Sequence, residues 1–439
     1  MMLRFSIIIL TTLYSITSRS QSYTSYLNGN PLDITTTPTG GVCLMGGATE
    51  DDNAMKWFLE QADGGDVLIL RTTGSDGYND YFYTQLDVAL NSVETIVCHG
   101  SDASEDPYVL DKIEKAEAIW FAGGDQWTYI DYWRNTEVTN KINAAIETKN
   151  IAIGGTSAGM AILSEFYFSA MNGTTTSETA LSNPYNETIT VDATPFIHNE
   201  YLNNTITDTH FDNPDRKGRL STFLARVKND YNIDALGIAC DEYTAVCIDS
   251  TGLARVFGDY PNYEDNAYFV QVNCEIENNN PEQCEAGMPL IYYQGGKALK
   301  IYRIKGDTNG SGTFDLNNRS MVQGGEWLNW SIDEGVLIEE NGSAPNCGFV
   351  TNADLEETRF KVFPNPVSQK IQIIGEMNFN LVTTANIIDV TGNMVFSRVM
   401  DEDNWKVGID IESLPQGIYF LSLKTQTGTI VSKQKIVKL

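Results

Sequence analysis

Five short apolar runs, each followed by a turn, dominate the first 160 residues of the chain. Segments of helical periodicity lie between them, such as the amphipathic stretch Asp51–Ala62. Short apolar strands that alternate with helical segments are typical of a mostly parallel sheet covered by helices on both faces. We therefore predict an α/β domain whose strands are Val42–Met45, Asp66–Leu70, Ser92–His99, Ala118–Phe121 and Ile151–Ile153. Such sheets bind ligands at the carboxyl ends of their strands, where the glycine-rich turns lie.

The remainder of the chain has a different pattern. Alternating aromatic and polar residues, as in Tyr268–Val272 and Ala298–Tyr302, predict antiparallel strands over residues 260–345, attached to the main domain. The main domain then spans residues 21–345, with its core at about 40–260. Residues 346–358 are polar and are predicted to be a linker. Short alternating runs between turns predict that residues 359–439 form a small all-β sandwich.

The charge balance excludes one class of partner. Asp and Glu number 58 against 29 Lys and Arg, which gives a formal net charge of −29. A surface this acidic repels nucleic acid, so we do not expect nucleic-acid binding. The chain begins with Arg4 close to its start, a short apolar run and a Ser/Thr-rich exit, which predicts a secretory signal peptide over residues 1–20. The protein is therefore expected to be exported.

Cysteine and histidine usage argues against a metal centre. The seven cysteines show no CxxC spacing, and there are only three histidines, so we expect neither a metal site nor a cofactor. Cys274 and Cys284 flank an Asn-rich loop and are candidates for a disulfide in an exported protein. The segment Asp307–Asp315 has the Asp/Asn spacing of a calcium loop but lacks the Glu that an EF-hand needs at its twelfth position. A glycine-rich β-turn is the favoured interpretation there, with calcium as the alternative.

The run Gly155-Thr-Ser157-Ala-Gly159 fits the pattern G-x-S-x-G directly after an apolar strand. Glycines on both sides allow a sharp turn that lifts the serine hydroxyl above the sheet edge. The amide of Ala158 can then face a developing oxyanion. Ser157 is therefore the candidate nucleophile, the alternative being a Gly/Ser turn without chemistry.

A nucleophilic serine needs a base, and the chain offers few. His210 follows Ser157 in a short strand-like run, whereas His99 and His198 are interpreted as structural. Because no histidine follows position 210, the chain order of α/β-hydrolases does not fit. The orienting acid should then come third, and the pair Asp241-Glu242 after an apolar run offers it. A triad is defined by geometry rather than by chain order, so this order is acceptable.

With these residues in place, positions 40–260 resemble the cyanophycinase and aspartyl dipeptidase group of serine peptidases. The resemblance implies a class I glutamine amidotransferase-like fold, with Ser157 as nucleophile, His210 as base and Glu242 as orienting acid. It also implies an oxyanion hole formed by the amide of Ala158 and one near Gly124. The landmarks that carry it are Phe121–Gln126, the elbow around Ser157, Asp208–Phe211, Gly218–Leu220 and Gly237–Ala245.

Four further residues are candidates for substrate binding. Gln126 follows the fourth strand, where it can contact substrate or simply begin a helix. Arg216 and Arg219 form a basic patch whose guanidinium forks suit an aspartyl carboxylate, although solvated salt bridges would explain them as well. Asp208 can orient the loop of His210 or receive a guanidinium of the substrate.

The predicted function is a secreted serine peptidase that hydrolyses aspartyl peptide or isopeptide bonds, with a polymer of β-linked Asp-Arg units as the implied substrate. Thr209 and Pro214 depart from the family pattern, which has Gln and Arg at these positions, so the substrate is less firmly implied than the chemistry. The alternatives are a secreted esterase or amidase, and a non-catalytic surface-binding protein on the same scaffold. A homodimer is possible by resemblance.

The C-terminal region resembles a second family. Phe363–Pro366, Ile388–Gly392 and Leu414–Phe420, followed by a basic end, are similar to the sorting domain of the type IX secretion system. The resemblance implies that this domain contacts the secretion machinery and directs export through a Bacteroidota-type outer membrane. The tail would then be removed or exchanged for an anchor. A carbohydrate-binding or adhesive β module is the alternative.

Overall fold

The computed structural model describes residues 21–194, 196–346, 361–374, 384–389, 394–400, 408–424 and 430–439. The chain divides into two compact units, Met1–Cys347 and Gly348–Leu439. The predicted signal peptide lies outside the described residues, and so does the predicted linker 346–358 except for Asn346.

The first unit contains eighteen strands and eight α-helices among its described residues. In chain order the strands are β1 (Tyr23–Gly29), β2 (Val42–Met45), β3 (Asp66–Arg71), β4 (Ser92–Cys98), β5 (Ala118–Phe121), β6 (Ala152–Thr156), β7 (Tyr167–Phe168), β8 (Val191–Asp192), β9 (Thr205–Asp208), β10 (Leu236–Cys240), β11 (Ala245–Ile248), β12 (Leu253–Phe257), β13 (Asn266–Val272), β14 (Leu299–Lys305), β15 (Gly312–Asp315), β16 (Val322–Gln323), β17 (Gly325–Asp333) and β18 (Val336–Asn341). The helices are α1 (Asp52–Glu60), α2 (Gly77–Asp80), α3 (Pro107–Lys115), α4 (Gln126–Trp133), α5 (Glu137–Lys149), α6 (Ala158–Ala161), α7 (Ser177–Ser182) and α8 (Lys217–Tyr231).

The larger sheet has ten strands in the order β1-β4-β3-β5-β6-β2-β11-β12-β15-β16. Its centre, from β4 to β2, is parallel, and these are the five strands that the apolar runs predict. Antiparallel strands extend it on both sides. The edge strand β1 has no counterpart among the predicted strands. The predicted α/β class is confirmed, with a mixed rather than purely parallel sheet.

Central strand β5 shows why apolar residues follow one another directly in these runs. Trp120 points to one face, where its ring lies 5.1 Å from that of Phe58 in α1. Phe121 points to the other face and lies 6.0 Å from Trp133 in α4. Successive side chains of a strand point to opposite faces, so a strand covered by helices on both sides must be apolar throughout.

A second sheet of six strands has the order β18-β17-β14-β13-β10-β9. Within it β9 and β10 are parallel, and β13 pairs with β10 in antiparallel register. The β-rich region 260–345 is therefore no separate attachment. Its strands β13, β14, β17 and β18 complete the second sheet, because β10 would otherwise leave an edge unpaired, while β15 and β16 extend the first sheet.

The second unit is a small antiparallel β structure. Its strands are β19 (Lys361–Phe363), β20 (Lys370–Ile374), β21 (Thr384–Asp389), β22 (Met394–Val399), β23 (Ile409–Asp410), β24 (Gly417–Lys424) and β25 (Ile430–Lys438). They form a sheet of order β19-β20-β23 and another of order β22-β21-β24-β25. Both sheets contribute to one apolar core, in which Ile371, Ile387 and Leu421 are buried. This arrangement confirms the predicted β-sandwich.

The suggested disulfide between Cys274 and Cys284 is wrong. Cys274 is disulfide-bonded, whereas Cys284 is a free thiol. Cys284 is 6% exposed and packs in the apolar core beneath the second sheet. Its side chain is therefore directed into the protein, away from the polar loop that suggested the pairing.

The segment Asp307–Asp315 forms a turn that leads into β15. The carboxylate of Asp307 accepts hydrogen bonds from the amides of Asn309 and Ser311, at 2.8 and 3.1 Å. Among the described residues, no three His, Cys, Asp or Glu side chains are arranged to hold a metal ion. The same residues include no helix long and apolar enough to cross a membrane.

Gly159 sits where α6 approaches the end of β5, and its replacement tests this packing. A Cβ at position 159 would lie 2.1 Å from the carbonyl oxygen of Phe121. Because a backbone atom cannot move aside cheaply, we expect Gly159→Ala to lower the free energy of unfolding by about 1–3 kcal/mol or more. Urea unfolding followed by tryptophan fluorescence measures the loss. Gly77→Ala is the control, since a Cβ there meets nothing within 4 Å; equal losses in both variants would contradict the prediction.

Candidate active site

Ser157 stands at a sharp turn between β6 and α6. Its backbone has φ 52° and ψ −117°, a conformation that L-residues rarely adopt and that is typical of a nucleophile elbow. The turn closes tightly, because a Cβ at Gly155 would lie 2.5 Å from the carbonyl carbon of Gly159. The two glycines of the motif are therefore a steric requirement, and the turn directs the Ser157 hydroxyl toward His210.

Ser157, His210 and Glu242 form a continuous hydrogen-bonded chain. Ser157 Oγ lies 2.8 Å from His210 Nε2, and His210 Nδ1 lies 2.6 Å from Glu242 Oε1. The side chains of His210 and Glu242 are 25% and 18% exposed, so the chain of bonds is partly shielded from water. These distances match those expected for a nucleophile, its base and an orienting acid. The structure thus brings together the three residues that the sequence singles out.

Three consecutive carbonyl groups at the end of β2 hold the turns that carry these residues. The oxygens of Met45, Gly46 and Gly47 accept hydrogen bonds from the amides of Ser157, His210 and Tyr243, at 3.1, 2.9 and 3.1 Å. Gly47 also lies directly against the imidazole, since a Cβ there would be 2.4 Å from His210 Nε2. The sequence shows Gly46-Gly47 only as a turn that ends a strand, and gives no signal of this role.

Glu242, rather than its neighbour Asp241, faces the histidine. Its amide donates to Asp212 Oδ1 at 2.9 Å, and Asn213 approaches its second carboxylate oxygen at 3.4 Å. The hydrogen bond from His210, followed by that from Asn213, lowers the pKa of Glu242 below its usual value. Glu242 therefore stays ionised and can stabilise an imidazolium.

The side chain of Asp241 does not contact His210 and instead contacts Asn266. Its Oδ2 accepts hydrogen bonds from the amide and from Nδ2 of Asn266, at 3.1 and 2.9 Å. The residue is only 5% exposed, and its Oδ1 has no hydrogen-bond partner. Burial, with the nearby charge of Asp212 adding to it, raises the pKa of Asp241 to about 7. A carboxyl group that titrates near neutrality thus adjoins the orienting acid.

The candidate oxyanion donors belong to two segments, the start of α6 and the loop after β5. Ala158 is the first residue of α6 and directly follows Ser157. Gly124 belongs to the loop after β5, and its neighbour Gly123 lies close to the elbow, with the Cβ of Ser157 3.7 Å from the position a Cβ would take there. A Cβ at Gly124 would have no neighbour closer than 3.8 Å. A Cβ at that position would therefore be in ordinary van der Waals contact with Thr73 Oγ1 and Tyr129 Oη.

The predicted substrate-binding residues differ in what they contact. Gln126 begins α4, and its Nε2 donates to the carbonyl oxygen of Phe168 at 3.2 Å. Asp208 and Arg219 form a buried bidentate ion pair, 2% and 3% exposed, with Arg219 Nε 2.9 Å from Asp208 Oδ2. Because these two charges already satisfy each other, substrate would have to displace one of them. Their substrate-binding role stays a prediction.

Arg216 is the less engaged of the two arginines. Its Nη1 donates to the carbonyl oxygen of Thr209 at 2.7 Å, but its buried Nε has no partner. Burial, with the nearby Arg219 cation adding to it, lowers the pKa of Arg216 to about 10. The guanidinium therefore remains charged at neutral pH, with donor capacity that the protein does not use.

An acidic cavity of about 420 Å³ adjoins the Glu242 side of the triad. Its one lining cation is Lys217, which pairs with Glu339 at 3.2 Å. Two exposed tyrosines, Tyr243 and Tyr263, also line it. The six carboxylates around it are Asp212, Asp215, Asp241, Glu242, Glu264 and Asp265. The net charge of the chain indicates an acidic surface, but no sequence pattern locates this concentration beside the site.

The two other histidines lie apart from the triad. His99 Nε2 is 2.8 Å from the hydroxyl of Thr24 on the edge strand β1. The amide of His198 donates to Asn143 Oδ1 at 2.8 Å, and its side chain lines a different cavity. Neither contacts Ser157 among the hydrogen bonds of the described residues.

Comparison with known proteins finds two families that match separate parts of the chain. Residues 44–256 match the model of peptidase family S51, and residues 361–438 match that of a secretion system C-terminal sorting domain. Cyanophycinases of Synechococcus elongatus and Thermosynechococcus vestitus are 24% identical over 230 residues, which is 50% of this chain and 66% of each relative. The chain thus spans just under two thirds of the length of these curated relatives.

Two solved structures are also similar. A peptidase from an acI-B1 actinobacterium has 18% identity and a TM-score of 0.38, covering 53% of this chain and 91% of that one. A putative peptidase E protein from Listeria monocytogenes has 15% identity and a TM-score of 0.33, covering 50% and 98%.

The two family matches indicate what each part of the chain is similar to. Residues 44–256 match peptidase family S51, which has serine-type members. Residues 361–438 are a sorting domain of the kind that directs secretion by the type IX system in Bacteroidota.

Asp241 should make stability depend on pH in a direction opposite to that of most carboxylates. Its pKa rises from an ordinary 3.8 to about 7 on folding, so between these values the folded protein binds more protons than the unfolded protein. The free energy of unfolding contributed by this group therefore falls as pH rises from 4 to 7. We expect Asp241→Asn to remove this term, so that the variant gains stability relative to the parent protein as pH rises.

Thermal unfolding of both proteins at several pH values between 4 and 7.5 measures the effect. Asp265→Asn is a comparison variant from the same cavity. A difference in Tm between the parent protein and Asp241→Asn that stays constant over this range would contradict the prediction.

Proposed function

We propose that this protein is a secreted serine peptidase that cleaves aspartyl peptide or isopeptide bonds through an acyl-enzyme. Ser157 is the nucleophile, His210 the general base and Glu242 the acid that orients the histidine. The observation that supports these roles most directly is the unbroken chain of hydrogen bonds, 2.8 and 2.6 Å long, on a strained elbow.

The reaction would proceed by acyl transfer. His210 takes the Ser157 proton through Nε2 as Oγ attacks the carbonyl carbon, and the positive charge on the imidazole is stabilised by Glu242. The amide of Ala158, with one near Gly124, would hold the oxyanion. His210 then gives the proton to the leaving amine, and water activated by the same residue releases the acid product.

The proposed substrate is a polymer of β-linked aspartyl-arginine units, or a related acidic peptide. Two relatives that bear the name cyanophycinase support this class of substrate. The unused donor capacity of Arg216 suits the free carboxylate of an aspartyl residue, because a guanidinium binds carboxylates in a bidentate manner. Because positions 209 and 214 hold Thr and Pro, Arg216 is the arginine nearest to His210 in sequence.

The acidic cavity supports the arginyl half of such a substrate. Asp212 and Asp215 form no ion pair among the described residues, so their charge is not compensated within the protein. Carboxylates and exposed aromatic rings together attract a guanidinium. A substrate that carries both charges would then find a cation at Arg216 and anions beside Glu242.

Export completes the proposal. The sorting domain would present the chain to the type IX machinery, and the predicted signal peptide over residues 1–20 would take it across the inner membrane. Removal of the tail, or its exchange for an anchor, and a homodimer remain predictions by resemblance.

Cyanophycin is the direct test of this function. Incubated with purified protein, it should release soluble β-Asp-Arg dipeptides, detectable by mass spectrometry, and Ser157→Ala should release none. Equal release by both proteins, or no release by either, would remove the specific claim. Turnover of simple esters without turnover of aspartyl peptides would instead favour the esterase alternative.

Arg216 can be tested with a matched pair of substrates. We expect Arg216→Gln to lower kcat/KM roughly 10- to 100-fold on an aspartyl substrate with a free α-carboxylate, the value of a hydrogen bond to a charged group. The same variant should change kcat/KM little when that carboxylate is an amide. Arg226→Gln, which removes an arginine paired with Asp230, is the control. Equal losses on both substrates would indicate a purely structural role for Arg216.

A further inference from the structure

Cys43 and Cys247 face each other in the interior of the first unit. They are 0% and 1% exposed, and their sulfur atoms lie 3.6 Å apart. Cys43 belongs to β2 and Cys247 to β11, where the two residues are direct partners in the antiparallel register. Neither thiol is used by the proposed catalytic mechanism.

The register determines which kind of pair this is. The amide of Gly46 donates to the carbonyl oxygen of Thr244 at 2.9 Å, which makes these two residues a hydrogen-bonded pair. Hydrogen-bonded and non-hydrogen-bonded pairs alternate along an antiparallel ladder. Cys43 and Cys247 lie three positions along the ladder from Gly46 and Thr244, so they are a non-hydrogen-bonded pair. The Cα atoms of such a pair are typically about 4.5 Å apart.

That separation permits a covalent bond. Disulfides form between residues whose Cα atoms lie about 4.4–6.8 Å apart, and their S–S bond is about 2.05 Å long. The sulfur atoms at 3.6 Å therefore need to approach by about 1.5 Å, a distance that small rotations of both side chains cover. The backbone of the two strands need not move.

The destination of the protein supplies the oxidising conditions. The sorting domain directs the chain out of the cytoplasm, and disulfides form and persist in such compartments. Another cysteine of this unit, Cys274, is already disulfide-bonded. Once the domain is folded, burial raises the pKa of the Cys247 thiol well above its ordinary value and makes it a poor nucleophile. Oxidation therefore belongs to the folding stage, before β11 closes against β2.

We propose that Cys43 and Cys247 form a cross-strand disulfide in the exported protein. One thiol is deprotonated and attacks a small disulfide oxidant of the glutathione type, and the other then displaces the reduced thiol from the mixed disulfide. The two cysteines lose two protons and two electrons, and the oxidant becomes two thiols. The proposal depends on the export route, not on the proposed substrate.

The bond would join the two strands that frame the active site. Three and four residues after Cys43, the carbonyl oxygens of Gly46 and Gly47 accept hydrogen bonds from the amides of His210 and Tyr243. Three residues before Cys247, Thr244 ends the turn that carries Glu242. A covalent bond between β2 and β11 would therefore fix the positions of the base and the orienting acid relative to each other. It should slow the loss of catalytic activity on heating.

Peptide mapping of the full-length protein is the test. The chain is refolded with a mixture of reduced and oxidised glutathione, alkylated in denaturant and digested without reduction. We expect a linked peptide pair containing Cys43 and Cys247, lighter by two hydrogen masses than the sum of the separate peptides. Complete alkylation of both cysteines, or a link from Cys43 to Cys240 instead, would overturn the proposal.

Variants test the consequence for the site. The oxidised protein should keep its activity longer at elevated temperature than the same protein refolded with a reductant. In Cys43→Ser/Cys247→Ser the two preparations should be equally stable, whereas in Cys98→Ser, which lacks another buried thiol, the difference should persist. A difference that survives in the double variant would assign the effect to another disulfide and contradict this part of the proposal.

Discussion

The arrangement of the site depends on three successive carbonyl groups at the end of one strand. Met45, Gly46 and Gly47 each accept one amide, and the three amides belong to the turns that carry Ser157, His210 and Glu242, the residues of the proposed triad. These turns come from distant parts of the sequence and from two different sheets. Backbone hydrogen bonds at 2.9–3.1 Å leave little freedom for any turn to shift against the others, which is how a site is held in productive geometry without help from loops.

The same constraint explains why this stretch contains two glycines. A Cβ at Gly46 would lie 2.0 Å from the carbonyl oxygen of Asp241, and one at Gly47 would collide with the imidazole of His210. The chain ends of β9 and β10 therefore approach β2 more closely than any side chain would permit. Since β2 lies in the first sheet and β9 and β10 in the second, the candidate active site lies at a place where the two sheets approach each other closely.

Local patterns predict those parts of the molecule that local forces determine. Strands covered on both faces are largely apolar, so β2 to β6 can be recognised from composition even though β4 also buries Glu94 and Thr95. The elbow shows itself through glycines that its geometry requires. The chain has only three histidines, which leaves few candidates for the base, and the resemblance of Asp208–Phe211 to the family motif is what selects His210. The sequence alone leaves Asp241 and Glu242 as alternatives for the orienting acid. The choice depends on Asn266, which forms hydrogen bonds with Asp241. Asn266 belongs to β13, a strand that pairs with β10 only in the folded protein.

Other features cannot be predicted from sequence patterns for the same reason. The partner of Arg219 is Asp208, eleven residues away, and their pairing depends on how α8 packs against the end of β9. The pairing suggested for Cys274 and Cys284 was wrong because nearness in sequence says nothing of side-chain direction. Likewise the acidic cavity gathers carboxylates from three separate segments. Each of these depends on tertiary packing, which spacing in one sequence does not encode.

The buried charges also bear on how a substrate would be recognised. Arg219 and Asp208 neutralise each other, so the pair serves as a rigid support and contributes little field of its own. Arg216, three residues earlier, has no such partner, and burying an unpaired cation is costly. On the proposed function, a substrate carboxylate would remove that cost on binding. Affinity for the aspartyl group would then arise from an unfavourable feature of the free protein, in which Asp208 is already paired with Arg219 and Arg216 has no carboxylate partner among the described residues.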